Sequence, residues 1–257
     1  MTRLFHLPRV LSESLQENRL FKVIAGLSNF DEASVARISH AAGVGGADLL
    51  DVACQPDLVR IAAELSGLPI CVSSVEPELF PACVAAGAVM IEIGNFDTFY
   101  PQGRVFKANE VLDLTRESRK LLPDVALSVT VPHVLPLDEQ AQLAIELIKS
   151  GADVIQTEGG TIAKPLSSGT LGLIEKASPT LAAVHSISKA LRSELLDNPI
   201  LCASGLSEVT VPMAIAIGAS GVGIGSAINR LDDELAMIAE VCRIKQSLQP
   251  LRLPTIK

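Results

Sequence analysis

Four tripeptides set the rhythm of this chain: Gly46-Ala47-Asp48, Gly87-Ala88-Val89, Gly151-Ala152-Asp153 and Gly218-Ala219-Ser220. Each closes an amphipathic stretch and opens a short apolar run. Glycine tolerates the left-handed backbone at a helix C-terminus, so each tripeptide reads as a helix-to-strand joint. Pro69, Pro123 and Pro199 mark three further joints. The apolar runs predict strands at 20–26, 48–53, 70–74, 89–94, 125–131, 153–158, 199–204 and 220–224. Helices are expected near 31–43, 56–66, 76–86, 107–121, 136–150, 171–195, 207–217 and 226–248. Strands that alternate with helices lie parallel, and eight such units predict an α/β fold of the (βα)8 TIM-barrel type. An open doubly wound sheet usually carries GxGxxG on its first turn. Here that turn reads Gly26-Leu-Ser-Asn-Phe-Asp31, which lacks the pattern.

The barrel is expected to occupy residues 20–248 as a single domain, with a C-terminal tail at 249–257. Residues 1–19 form an extra N-terminal helical segment, in which Leu4, Leu7, Leu11 and Leu15 recur at nearly helical spacing around Pro8. This segment is expected to pack on the end of the barrel or on a partner subunit, which makes a homodimer an expectation. Joints after helices are short, whereas the joints 95–106 and 159–170 after strands are long. Longer, chemically varied loops at one end of a barrel locate the working face at the carboxyl ends of the strands.

Composition narrows the function. A net charge of −8 argues against a nucleic-acid or anionic-membrane partner. No apolar run approaches the roughly 18 residues of a membrane span, and the N-terminus has neither a signal-peptide nor a transit-peptide pattern. The five cysteines have no CxxC spacing, which fits a reduced, cytoplasmic setting. There is no HExxH, no His/Cys cluster and no EF-hand loop, so no structural metal is expected. Magnesium held through carboxylates and a substrate phosphate is compatible with the pattern.

The stretch Gly218-Ala-Ser-Gly-Val-Gly-Ile-Gly-Ser-Ala227 carries the strongest ligand signal. A strand passes through Gly223 and Gly225 straight into a helix beginning at Ser226. Unpaired N–H groups at a helix start suit an anion such as a phosphate, and glycines let the ligand approach the backbone. With so acidic a chain, local dipoles and a few basic side chains would have to hold that phosphate.

Several stretches are similar to a conserved hypothetical reading-frame family of chloroplast genomes and cyanobacteria. They are Lys22-Val-Ile-Ala-Gly-Leu-Ser-Asn-Phe-Asp31, Met90-Ile-Glu-Ile-Gly-Asn-Phe-Asp-Thr-Phe-Tyr100, Ile155-Gln-Thr-Glu-Gly-Gly-Thr161 and Leu201-Cys-Ala-Ser-Gly-Leu206 leading into Gly221-Val-Gly-Ile-Gly-Ser226. The resemblance covers roughly residues 20–230. It implies a TIM barrel and a cyanobacterial cytoplasmic or plastid-stromal setting, and it brings no reaction with it. The last two strand–loop units also resemble those of phosphate-binding barrels. That likeness places Ser204 and Gly205 in a phosphate loop after the seventh strand, and Gly223, Gly225 and Ser226 in one after the eighth.

Polar residues inside strands add candidates for chemistry, because a charge in a barrel wall is costly unless paired or functional. Lys22, Asp51, Glu92, Gln156 and Glu158 occupy such positions. If their faces point inward, one lysine and three carboxylates meet near the barrel mouth. Lys22 would then serve as a depressed-pKa amine or an enolate-holding cation, or form a structural ion pair with Glu92 or Asp51. Glu92, Glu158 and Asp51 are acid–base candidates. His133 follows the fifth strand, where it could shuttle a proton or be a loop histidine fixed by Pro132. Arg104 and Lys164 are anion contacts on the two long loops, or solvated loop charges. Three classes follow: a lyase, aldolase or isomerase acting on a small phosphorylated metabolite; an FMN-binding oxidoreductase using the same loops; and a non-catalytic phospho-ligand sensor or assembly protein.

Overall fold

A computed structural model describes residues 3–159 and 164–249. The expected tail beyond Gln249 and positions 160–163 of the second long loop lie outside the described residues. Eight parallel strands close on themselves in sequence order. They are β1 (Leu20–Ile24), β2 (Leu49–Ala53), β3 (Ile70–Ser74), β4 (Met90–Ile93), β5 (Ala126–Val131), β6 (Val154–Thr157), β7 (Ile200–Ala203) and β8 (Gly221–Ile224). Pairing of Leu20 with Gly221 and of Lys22 with Gly223 joins the first strand to the last. The molecule is a (βα)8 barrel with an added helix at its N-terminus.

That added helix, α1 (Arg9–Gln16), begins at Pro8, so the proline starts the helix instead of breaking it. Leu7, Leu11 and Leu15 pack with Leu20, Leu49, Cys71, Met90, Ala126, Val154 and Leu201, the inward side chains at the amino ends of seven strands. α1 is thus the floor of the barrel. The wall helices are α2 (Glu32–Gly45), α3 (Pro56–Ser66), α4 (Phe80–Ala85), α5 (Ala108–Leu121), α6 (Leu137–Lys149), α7 (Gly169–Ser193) and α8 (Val211–Ala216). Their apolar faces cover the outward strand residues, such as Phe21, Val52, Ile91, Val129, Ile155 and Val222.

The glycine-led joints have a second role beyond ending helices. Asp48 accepts the Phe21 N–H at 2.8 Å and pairs with Lys245 at 2.7 Å. Asp153 accepts the Leu127 N–H at 3.1 Å and pairs with Arg119 at 2.8 Å. Each aspartate therefore ties its strand to the preceding one and neutralises its own charge on a cation.

The chain departs from expectation after β8. Where one helix is predicted over 226–248, there is a single turn, α9 (Ser226–Asn229), followed by α10 (Glu234–Ser247). Asp233 accepts the Ala236 N–H at 2.9 Å and caps a new start, which a continuous helix could not accommodate. Among the described residues no helix is long and apolar enough to cross a membrane.

Candidate functional site

The inward polar residues divide into two layers. In the middle of the barrel, Glu92 on β4 accepts four hydrogen bonds. Lys22 Nζ at 2.6 Å and Ser128 Oγ at 2.7 Å meet one oxygen, and Gln156 Nε2 at 2.7 Å and Asn95 Nδ2 at 3.3 Å meet the other. Asp51 accepts from Ser73 Oγ at 2.5 Å and from Asn95 Nδ2 at 3.3 Å. Asn95 reaches both carboxylates from a left-handed backbone (φ 61°), a conformation that asparagine adopts more readily than most residues. Lys22, Asp51 and Glu92 are all completely buried.

Charge in this layer follows from burial and proximity. Burial opposes a charge on Lys22, but Glu92 and Asp51 outweigh it and hold the ammonium above its ordinary pKa. Burial, reinforced by Glu92 and opposed by Lys22, raises Asp51 to about 7. A Schiff-base amine needs the opposite shift; of the two readings of Lys22, the geometry accords with the structural ion pair, Nζ lying 2.6 Å from Glu92 Oε2. The expected meeting of Lys22, Asp51, Glu92 and Glu158 at the mouth is corrected. The first three sit one layer below, and Glu158 alone is at the rim.

The upper layer is built around Glu158, just past the end of β6. Its Oε1 accepts from Tyr100 O–H at 2.5 Å and from the His133 backbone N–H at 3.1 Å, and lies 2.9 Å from His133 Nδ1. The same Nδ1 lies 3.3 Å from Asp97 Oδ1, and Asp97 Oδ2 accepts from Ser204 Oγ at 3.2 Å. Tyr100 stands edge-on to the His133 ring, with centroids 4.9 Å apart. Burial works against a charged imidazole, but Glu158 and Asp97 raise the His133 pKa above its usual value. Burial and the Glu158 charge raise Asp97 to about 6. Burial, with Glu158 beside it, pushes the Tyr100 phenol up.

The first long loop delivers Asp97 and Tyr100. It folds as two short 3-10 turns, Phe96–Thr98 and Tyr100–Gln102, anchored by the buried Phe96 and Phe106 rings with centroids 4.4 Å apart. Neither Asp97 nor Tyr100 is among the sequence candidates. The signal available was the run of aromatics around them, which nails the loop to the barrel top. Arg104 is corrected: it pairs with Glu110 at 3.2 Å, stacks 4.3 Å from the Phe106 centroid and does not line the cavity.

A cavity of about 530 Å³ opens beside this layer. Its lining includes the loops after β7 and β8, with Ser204, Gly205, Gly223, Gly225 and Ser226, and the polar residues Asn95, Asp97 and Glu158, of which Asp97 touches Ser204 directly. Lys164, Lys176 and Arg230 are the cations on its lining, the last two not anticipated from sequence. Geometry requires a glycine at 205 and leaves only a tight fit at 223. Gly205 has φ 74°, and a Cβ there would sit 2.7 Å from the Lys176 carbonyl oxygen. A Cβ on Gly223 would meet Ile24 at 3.0 Å and Ala203 at 3.1 Å. α9 is only four residues long, so its dipole is weaker than a full helix after β8 would have given. Ile228 and Asn229 N–H both bond the Gly225 carbonyl, which leaves the Ser226 and Ala227 N–H groups outside that bonding.

Three solved structures share this fold at 12–14% identity. (S)-3-O-geranylgeranylglyceryl phosphate synthase from Thermoplasma acidophilum, in complex with sn-glycerol-1-phosphate, has a TM-score of 0.62 and aligns over 94% of this chain and 99% of its own. 3-Hexulose-6-phosphate synthase has a TM-score of 0.60, with 89% and 99% covered. Thiamine phosphate pyrophosphorylase from Pyrococcus furiosus has a TM-score of 0.58, with 91% and 96% covered. In sequence, the uncharacterized protein ycf23 of Cyanophora paradoxa is 44% identical over 225 residues, 87% of this chain and 90% of the relative. That of Porphyra purpurea is 35% identical over 238 residues, 93% and 88%. The model of the family described as "Protein of unknown function (DUF561)" matches residues 7–252, and the chain belongs to that family.

Proposed function

We propose that this protein is an enzyme acting on a small phosphorylated metabolite, of the lyase, aldolase or isomerase type. The phosphate is held between the loops after β7 and β8, and the reacting end lies against Glu158 and Asp97. The observation that carries this reading is one cavity lined by the glycine-bearing loops after β7 and β8, by Lys164, Lys176 and Arg230, and by the carboxylates of Asp97 and Glu158. Its volume is that of a small-molecule site. The three similar structures are named for phosphate-bearing compounds, which accords with it.

Within this reading, Ser204, Gly205, Gly225 and Ser226 offer backbone N–H and hydroxyl groups to the phosphate, with Lys176 and Arg230 supplying charge. Glu158 and Asp97 are the acidic groups at the reacting end, with Glu158 oriented by Tyr100 and His133. The buried Lys22–Glu92–Asp51 layer is a positioning layer, acting through Asn95, which reaches up from it and lines the cavity.

Binding is tested by thermal shift with inorganic phosphate, glycerol phosphate and phosphorylated sugars, each against its unphosphorylated counterpart. Phosphorylated compounds raise the melting temperature and the counterparts do not; equal effects of both would overturn the site. Catalysis is tested by proton exchange from carbonyl-bearing sugar phosphates in D2O, read by NMR and lost in Glu158→Gln. Stabilisation without exchange or turnover would mark a sensor. A yellow protein, or one that takes up FMN, would move the reading to a flavin oxidoreductase.

A further inference from the structure

Asp97, His133 and Glu158 come from three successive loops, after β4, β5 and β6, and among the described residues they form the one His/carboxylate group compact enough to hold a metal ion. Their donor atoms converge. His133 Nδ1 lies 2.9 Å from Glu158 Oε1 and 3.3 Å from Asp97 Oδ1. Metal–ligand bonds of about 2.1 Å set neighbouring donors in an octahedron about 3 Å apart, so the spacing needs little adjustment. A second observation is independent of that spacing. Glu158 is only 4% exposed, yet its Oε2 has no hydrogen-bond partner. A carboxylate oxygen buried without a donor calls for a cation rather than a neutral ligand.

We infer that Asp97, His133 and Glu158 form a binding site for a divalent first-row transition-metal ion at the rim of the barrel. Two carboxylates balance the charge of the ion. The imidazole nitrogen selects manganese, iron or zinc over magnesium or calcium, which prefer oxygen alone. Three protein ligands leave positions open for water or substrate, and Asp97 and Glu158 both line the cavity. Ser204 fixes the second oxygen of Asp97 at 3.2 Å and connects the ion site to the loop after β7. Tyr100 orients Glu158 from behind, the kind of supporting hydrogen bond that metal-binding carboxylates carry. Resting on the phosphate reading above, the substrate is a phosphorylated compound with an oxygen several bonds from its phosphate, presented to the ion so that charge developing there is neutralised.

The test uses the full-length protein, freed of metals by chelation, and Mn2+ alone. Electron paramagnetic resonance follows loss of the free aqueous Mn2+ signal on titration, and pulsed measurements detect nitrogen from a coordinated imidazole. The expected result is one bound Mn2+ per chain with imidazole coupling, together with a raised melting temperature. Asp97→Asn and Glu158→Gln each weaken binding at least about tenfold. Undiminished free Mn2+ signal at millimolar protein and metal, or bound Mn2+ without nitrogen coupling, would overturn the site. The wild-type measurements decide even if a variant fails to fold. Phosphate binding in the presence of EDTA is scored separately, so loss of either site leaves the other standing.

Discussion

Lys22 Nζ donates to Glu92 Oε2 at 2.6 Å from β1 to β4, through the interior of the barrel, and neither side chain is exposed. These strands are not neighbours, so the pair spans the barrel as a strut. Removing one partner leaves the other charge buried and uncompensated. Lys22→Ala and Glu92→Leu are each expected to destabilise the fold by about 3–5 kcal/mol in denaturant unfolding, whereas the double change Lys22→Met with Glu92→Leu recovers much of that loss. Borohydride trapping with carbonyl phosphates should leave Lys22 unmodified, and a Lys22 adduct detected by mass spectrometry would restore it as a nucleophile.

Asp51 gives a pH signature. Its pKa rises from 3.8 to about 7 on folding, so between those values the folded state holds a proton that the unfolded state has released. The stabilisation is therefore complete below the unfolded value and is lost as pH climbs through about 7. Asp51→Asn keeps the shape of the protonated acid and removes the titration. The melting-temperature advantage of the wild type over the variant should shrink from about pH 5 to about pH 8 and then level off. A difference constant across that range would show that Asp51 is ionised throughout. Lys22 does not confuse the window, because its raised value lies in the alkaline range.

Gly205 joins backbone geometry to ligand binding. With φ 74° and 2.7 Å between a would-be Cβ and the Lys176 carbonyl, Gly205→Ala has to move either the loop or α7. The change is expected to destabilise by more than about 1 kcal/mol and to weaken phosphate binding by more than the stability loss explains. Calorimetry with a sugar phosphate at a temperature where the variant is fully folded separates the two effects.

Much of the fold is legible in the sequence because the same joint chemistry recurs. The Gly-Ala-Asp tripeptides contain a helix stop and a carboxylate that latches two strands, seen at Asp48 and Asp153. Inward-facing polar residues are legible from period-two spacing, but their height is not. Lys22 and Glu158 both read as rim residues, and only closure of the barrel puts Lys22 opposite Glu92 and leaves Glu158 to meet His133. Asp97 and Tyr100 lie on 3-10 turns whose irregular backbone has no periodicity to read. The break at Asp233 is a local cap, overridden in the sequence by an apolar pattern that continues on either side of it.

The floor helix offers a direct measure of packing. Leu11 is completely buried among strand residues. Leu11→Ala should cost about 2–5 kcal/mol in chemical unfolding, the range for a cavity that cannot fully collapse. An effect below about 0.5 kcal/mol, as for an exposed site, would mean that α1 is not seated on the barrel in solution.

The floor also bears on synthesis. Leu7, Leu11 and Leu15 are made before every strand side chain they rest on, which run from Leu20 to Leu201, and β1 waits for Gly221–Ile224 before it gains its second neighbour. A chain still growing on the ribosome therefore carries three unsheltered leucines and a bare strand edge until β8 has emerged.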